Sequence, residues 1–279
     1  MIKIVTDSAS GITPEAGRKH GIAIVPLYVH FGTETFRDGV DIRPADFFSR
    51  LKSSPQLPTT SQPSAGDFLE VYKSLTADGS EVVSVHLSNK LSGTVVSACT
   101  ARDMLPNARI HVIDTQFIAA AQELMVMEAV RMAAAGQSAE AILARINKLS
   151  SGFHFYLTLE TLEYLEKGGR IGKAAALLGT ALQMKPIVEI RDGAVEAAGR
   201  VRSKSKAVAQ MLELVKQGTS GRSRVYLGVM HAAALEEARA VETDLVSKLK
   251  PVEMTMAEIG PVVAVHTGPG TVGVAFYAE

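Results

Sequence analysis

Two clusters of small polar side chains, Thr59-Thr60-Ser61-Gln62-Pro63-Ser64 and Ser88-Asn89-Lys90-Leu91-Ser92-Gly93-Thr94, have the residue types and spacing best suited to chemistry. Each lies just ahead of a segment predicted to be helical, where unpaired backbone N–H groups and hydroxyls hold an anion without a charged neighbour. The chemistry this implies is recognition of a small acidic head group. In the second cluster, residues 82–87 read as a buried strand and 94–104 as a helix with a small apolar stripe, so Ser92-Gly93-Thr94 falls at the helix start. In the first, Pro58 and Pro63 stiffen the chain on both sides and Ser64 reads as the cap of a helix from Ala65, leaving Thr60 and Ser61 without a capping role. Taken alone, either cluster reads equally well as a helix N-cap worth about 1 kcal/mol.

The elements that must hold these clusters divide into two groups. Up to about residue 150, apolar runs at 2–5, 22–29, 82–87 and 110–113 end in small polar residues and alternate with helical patterns, including a long Ala-rich helix over 119–135. That alternation predicts an α/β domain over residues 1–150, a parallel sheet flanked by helices, with ligands beyond the carboxyl ends of its strands. After Ser150-Ser151-Gly152 the pattern becomes that of a second α/β domain over 151–279, a mixed sheet with helices. Strands are expected at 153–159, 225–230, 254–259, 262–265 and 272–277, a hairpin at 186–198 around Arg191-Asp192-Gly193, and helices at 177–183 and 235–249.

A chain of 279 residues with 47% hydrophobic and 21% charged residues has the composition of a soluble globular protein. The 29 basic and 29 acidic residues cancel, which disfavours nucleic acid as a partner. A lone Cys99 forms no internal disulfide and fits a reduced cytoplasm; the opening apolar run is too short for a signal peptide.

Several motifs are weak on inspection. Gly268 to Gly273 spells G-P-G-T-V-G but lacks a following helix and a later acidic residue, so a dinucleotide site is not expected. Gly168 to Lys173, G-G-R-I-G-K, is one residue short of a phosphate loop and has no final Ser or Thr. There is no G-x-S-x-G elbow, and the scattered histidines give no metal-ligand set, so neither cofactor nor metal is expected. Ser203-Lys204-Ser205-Lys206 fits S-x-x-K but reads as a solvated helix start.

The ordered series T-D-S-A-S, P-T-T-S-Q-P-S, S-N-K-L-S-G-T, V-I-D-T, L-E-K-G-G-R-I, R-V-R-S-K-S-K-A and H-T-G-P-G-T-V-G resembles that of the DegV family across essentially the whole chain. The resemblance implies a cytoplasmic, two-domain α/β protein that is not itself an enzyme. It would hold a long-chain fatty acid in a deep apolar cavity and deliver its carboxylate to a separate ATP-dependent fatty acid kinase, with transient membrane contact possible. By motif, Thr60 and Ser92 would hold the carboxylate, supported by Ser61 and Gly93, with His266 close by through water. Arg170 and Arg202 are candidates to meet the kinase or the incoming phosphate. With no tryptophan and 5% aromatics, aliphatic residues and Met, including residues 174–184, would line the tail. Two other readings stand: an enzyme acting on a small carboxylate or phosphate with His266 as general base, and a lipid-responsive regulator. His266 is also consistent with an ordinary buried histidine.

Overall fold

The computed structural model describes residues 1–179 and 184–279. Four short apolar strands, β1 (Ile2–Asp7), β2 (Ile22–Val25), β6 (Glu81–His86) and β7 (Ile110–Asp114), form a parallel sheet in the order β2-β1-β6-β7. Its connections carry the helices α1 (Pro14–His20), α3 (Ala65–Thr76) and α4 (Thr94–Asp103), with Cys99 half-buried on the last. Local chemistry fixes their starts. Thr13 caps α1 ahead of Pro14, and Ser64 and Asp67 close a capping box on α3.

The helices α5 (Ala119–Ala134) and α6 (Ala139–Gly152) lead to a six-stranded mixed sheet. Its strands are β8 (His154–Thr158), β9 (Lys185–Arg191), β10 (Ala194–Val201), β11 (Val225–Ala232), β12 (Glu253–Glu258) and β13 (Thr271–Ala278), in the order β10-β9-β8-β13-β11-β12. Pairing is antiparallel except between β11 and β12. The turn between β9 and β10 has Asp192 and Gly193 both at positive φ, as an Asp-Gly hairpin requires. The remaining helices of this half are α7 (Glu163–Lys167), α8 (Lys204–Thr219), α9 (Leu235–Leu249) and α10 (Pro261–Thr267).

Between the sheets lies α5. Its small side chains let β11 approach so closely that a Cβ on Gly228 would stand 2.6 Å from the Cβ of Ala120. One hydrophobic cluster consequently runs from Ile4 and Val83 through Leu124 to Leu157 and Val263, joining both halves of the chain.

Three elements differ from the sequence-based expectation. The apolar run 22–29 is broken at Pro26 into β2 and β3 (Tyr28–Phe31), since proline removes a ladder donor. With β4 (Glu34–Arg37) and β5 (Thr59–Ser61), β3 builds a separate antiparallel ribbon, β4-β3-β5, with α2 (Pro44–Ser53) between β4 and β5. Thr60 and Ser61 therefore sit on a strand, upstream of the α3 start. The valine run 262–265 is not a strand but most of α10: Pro261 at its first position pre-sets helical φ, and a short continuous apolar run has no periodicity that separates the two states. Finally, a 3-10 helix covers Gly172–Leu177 where a helix over 177–183 was expected, and residues 180–183 lie outside those described.

At the carboxyl ends of β1 and β6, the fully buried Asp7 carboxylate accepts hydrogen bonds from Ala9 N, Leu87 N, His86 Nδ1 and Gln122 Nε2 at 2.9–3.1 Å. It ties neighbouring parallel strands to the loops that follow them. Asp7→Ala strands these donors in a dry interior, and a loss of about 3–5 kcal/mol in urea-melt stability is expected.

Candidate functional site

The loops after β1 and β6, the ribbon, α10 and the inner face of the mixed sheet line a narrow cavity of about 70 Å³. Most of its wall is aliphatic, including Leu27, Leu87, Ile118, Leu157, Val188 and Val263. The polar residues on it are Thr60, Ser61, Gln62, Ser92, Arg170, His266 and Thr267. Pleating of β5 separates Thr60 from Ser61. Thr60 lies opposite buried Val29 and meets His266, with Oγ1 and Nε2 2.9 Å apart. Ser61 lies opposite Tyr28 on the other face of the ribbon, and its Oγ is 2.9 Å from His30 Nε2. Its Oγ therefore contacts His30, and the residue also borders the cavity.

Ser92 is held by its own N–H donating to Ser88 O and by a 2.9 Å contact between its Oγ and Thr94 Oγ1. The next residue, Gly93, is the N-cap of α4 and offers no side-chain acceptor, so the first-turn N–H groups of that helix keep their donor capacity. Gly93 is not on the cavity wall; it packs beneath Gln62, whose Nε2 would stand 2.9 Å from an added Cβ.

The His266 ring is almost withdrawn from water. Burial, reinforced by the Arg170 charge, lowers its pKa from the ordinary 6.5 to about 4, so the imidazole is neutral at pH 7. Its Nδ1 is buried with no hydrogen-bond partner among the described residues. That nitrogen faces Gly168, where an added Cβ would lie only 2.2 Å away. The backbone of Gly168 is ordinary right-handed, φ −76° and ψ −7°, so it is crowding, by the imidazole and by Tyr164 O 2.9 Å from an added Cβ, and not the chain conformation that requires glycine here. Arg170 donates from Nε to Leu91 O at 3.2 Å and from Nη1 to Gly168 O at 2.8 Å, linking the segment after α7 to the second hydroxyl loop.

Of the residues singled out in the sequence, Thr60, Ser61, Ser92, Arg170 and His266 border one cavity. Arg202 does not; it is exposed between β10 and α8. No methionine lies on the described wall, and neither do residues 174–179 or 184; strands and loops supply Leu, Ile and Val instead. Gln62 was passed over because its cluster was read only for hydroxyls. The described residues hold no group of three or more His, Cys, Asp and Glu side chains able to bind a metal ion. None of the described helices is long and apolar enough to cross a membrane.

A family model described as "Uncharacterised protein, DegV family" matches residues 1–279. The chain belongs to the DegV family. A DegV domain-containing protein of Deinococcus radiodurans is 38% identical over 274 residues, covering 98% of this chain and 97% of the relative. Among solved structures, a DegV family protein of Thermus thermophilus described as binding fatty acid superposes with a TM-score of 0.95 at 38% identity, covering 100% of this chain and 99% of that one. A stearic-acid-binding protein of Eubacterium ventriosum superposes with a TM-score of 0.93 at 32% identity, over 100% and 98% of the two chains. The α/β fold described above is thus the DegV fold.

Two measurements check the geometry of this DegV site. Gly168→Ala drives a methyl into the imidazole and is expected to lower stability by about 1–3 kcal/mol, whereas the same change in a His266→Ala background is expected to cost less, only the approach to the Tyr164 carbonyl remaining. Thermal melts of the four proteins decide this. The second concerns pH. The unfolded His266 titrates near its ordinary 6.5 and the folded one near 4, so between these values the unfolded chain binds more protons and stability falls as pH drops. His266→Gln is expected to flatten that acid limb in urea melts.

Proposed function

We propose that this chain binds a long-chain fatty acid with its carboxylate at Thr60 and Ser92 and its tail in the aliphatic cavity, and presents the carboxylate to a separate ATP-dependent kinase that forms an acyl phosphate. The observation that carries this reading is a largely aliphatic cavity onto which Thr60, Ser92, His266 and Arg170 converge. The Thermus thermophilus and Eubacterium ventriosum relatives, described as binding fatty acid and stearic acid, support it.

The energetics fit an acyl ligand. At about 0.8 kcal/mol per buried methylene, a tail of ~16 carbons contributes ~12 kcal/mol before the costs of ordering it. The head group then needs orientation more than strength. Hydroxyls and helix N–H groups hold a carboxylate without masking both oxygens, which leaves one free to attack a phosphoryl donor. His266 serves this by fixing Thr60: when Nε2–H donates to Oγ1, the threonine hydroxyl proton is free to point at the ligand. Ser61, on the other face of the ribbon and in contact with His30, supports the head group less directly than Thr60. Arg170 supplies positive potential at the polar end, and Arg202 remains a candidate contact for the kinase from outside the cavity.

An enzyme using His266 as general base is disfavoured by the same geometry. An imidazole with a pKa of about 4 is a weak proton acceptor at neutral pH. A lipid-responsive regulator would use the same cavity and differ only in its partner.

Thr60→Val and Ser92→Ala are each expected to weaken fatty-acid binding by about 1–3 kcal/mol with the fold intact, measured by titration with a fluorescent fatty acid. Unchanged affinity in both variants would defeat the placement of the carboxylate. Mass spectrometry of solvent-extracted protein is expected to release an acyl chain; a polar metabolite in its place would favour the enzyme reading. With ATP and fatty acid but no kinase, the purified chain is expected to make no acyl phosphate.

A further inference from the structure

Thr60 belongs to the ribbon and His266 to α10, so their contact depends on how far apart those two elements stand. Among the described residues only one other hydrogen bond joins them: Val262 N donates to Asp38 Oδ1 at 3.4 Å. Asp38 follows directly on β4 and is 3% exposed. Its backbone N–H donates to Leu27 O at 2.9 Å, and Leu27 N in turn donates to Ser8 Oγ at 3.0 Å. The residue therefore links the end of the ribbon, the segment between β2 and β3, and the first turn of α10.

The local sequence explains why that helix depends on an outside acceptor. Its N-cap is Gly260, which has no side chain to accept from the first-turn N–H groups. The carboxylate is also held at a cost. No cation pairs with it among the described residues, since Arg37 is engaged by Asp41 and Arg43 by Glu15. Burial raises its pKa to about 7 against the lowering effect of its Ser8 and Val262 hydrogen bonds. A buried carboxyl without a cation is destabilising by itself.

We infer that Asp38 is a positioning residue for the head-group site: by tethering the first turn of α10 to the ribbon it sets the separation of His266 and Thr60. This rests on the fatty-acid reading for its affinity readout alone. The contact it controls exists in the ligand-free chain.

The test separates a tether from a mere helix cap. Asp38→Ala removes both functions. Adding Gly260→Ser restores a cap within α10, at a position whose φ of −63° and ψ of 155° suit an N-cap serine and where an added Cβ meets nothing closer than 3.5 Å, but it does not restore the link to the ribbon. The double variant is expected to regain the melting temperature while binding cis-parinaric acid about fivefold to tenfold more weakly than the unaltered chain, the loss of roughly one hydrogen bond. Asp38→Asn, which keeps an acceptor oxygen, is expected to bind within about twofold of the unaltered chain. Recovery of affinity together with stability in the double variant would reduce Asp38 to a structural cap and overturn the inference. The His266 ring resonances of the ligand-free proteins give an independent readout. They are expected to shift in the double variant; unshifted resonances would overturn the inference even if the unaltered chain bound no fatty acid, a result that would separately defeat the proposed function.

Discussion

The hydrogen bond between Thr60 and His266 spans 206 residues of sequence and joins a ribbon strand to a short helix in the second half of the chain. The polar end of the cavity is organised around it. To form, it needs Thr60 on the inward face of β5, which fixes the ribbon register and turns Ser61 outward to His30. It needs α10 to begin at Pro261, so that one helical segment carries Val262 and Val263 on the apolar wall and ends near His266. It also needs a wall against the imidazole that carries no side chain, which is Gly168. Each requirement falls on a different segment, and a failure in any of them would move the same pair of atoms.

The site uses neutral hydrogen-bonding groups where a charged clamp would have been simpler. A buried arginine fork facing the ligand would bind an anion firmly and cover both its oxygens. Arg170 instead spends its Nε and Nη1 on the Leu91 and Gly168 carbonyls, so it acts on the cavity more through its field than through a fork. That field and the dry surroundings keep His266 neutral. A neutral imidazole can orient a hydroxyl without competing for a ligand charge, and this suits the proposed role of holding an acid and still letting it react.

Much of this was legible in the sequence where local rules govern. The alternation of strands and helices, the cap at Ser64 and the Asp-Gly hairpin at Asp192 are set by neighbouring residues and are legible from them. Residues of the two hydroxyl clusters fall on the wall of one cavity, although each cluster alone reads equally well as a helix cap. What could not be read depends on contacts remote in sequence. The segment 262–265 is apolar without periodicity, so its helix is decided by Pro261 and by packing. Thr60 and Ser61 look equivalent until the partner strand fixes which one faces inward. Gly168 looks like a turn glycine beside Gly169, and its tightest constraint, the approach of a histidine nearly a hundred residues later, is not visible locally.

A second histidine shows why geometry must be weighed against access. His86 Nδ1 lies 2.9 Å from Asp7 and its Nε2 2.6 Å from Ser84 Oγ, the order of groups found in a hydrolase triad. All three are 0% exposed, and the serine oxygen also accepts from Tyr72 OH at 2.8 Å. A nucleophile sealed from solvent and engaged by a second donor has no substrate to attack. This string instead anchors the ends of β1 and β6, whose following loops bring Ala9 and Leu87 to the cavity wall. The two histidines thus divide the polar work of the interior. His86 has both ring nitrogens partnered within the network that holds the sheet, whereas His266 has only Nε2 partnered among the described residues. Only the second lies on the wall of a space that a ligand can enter.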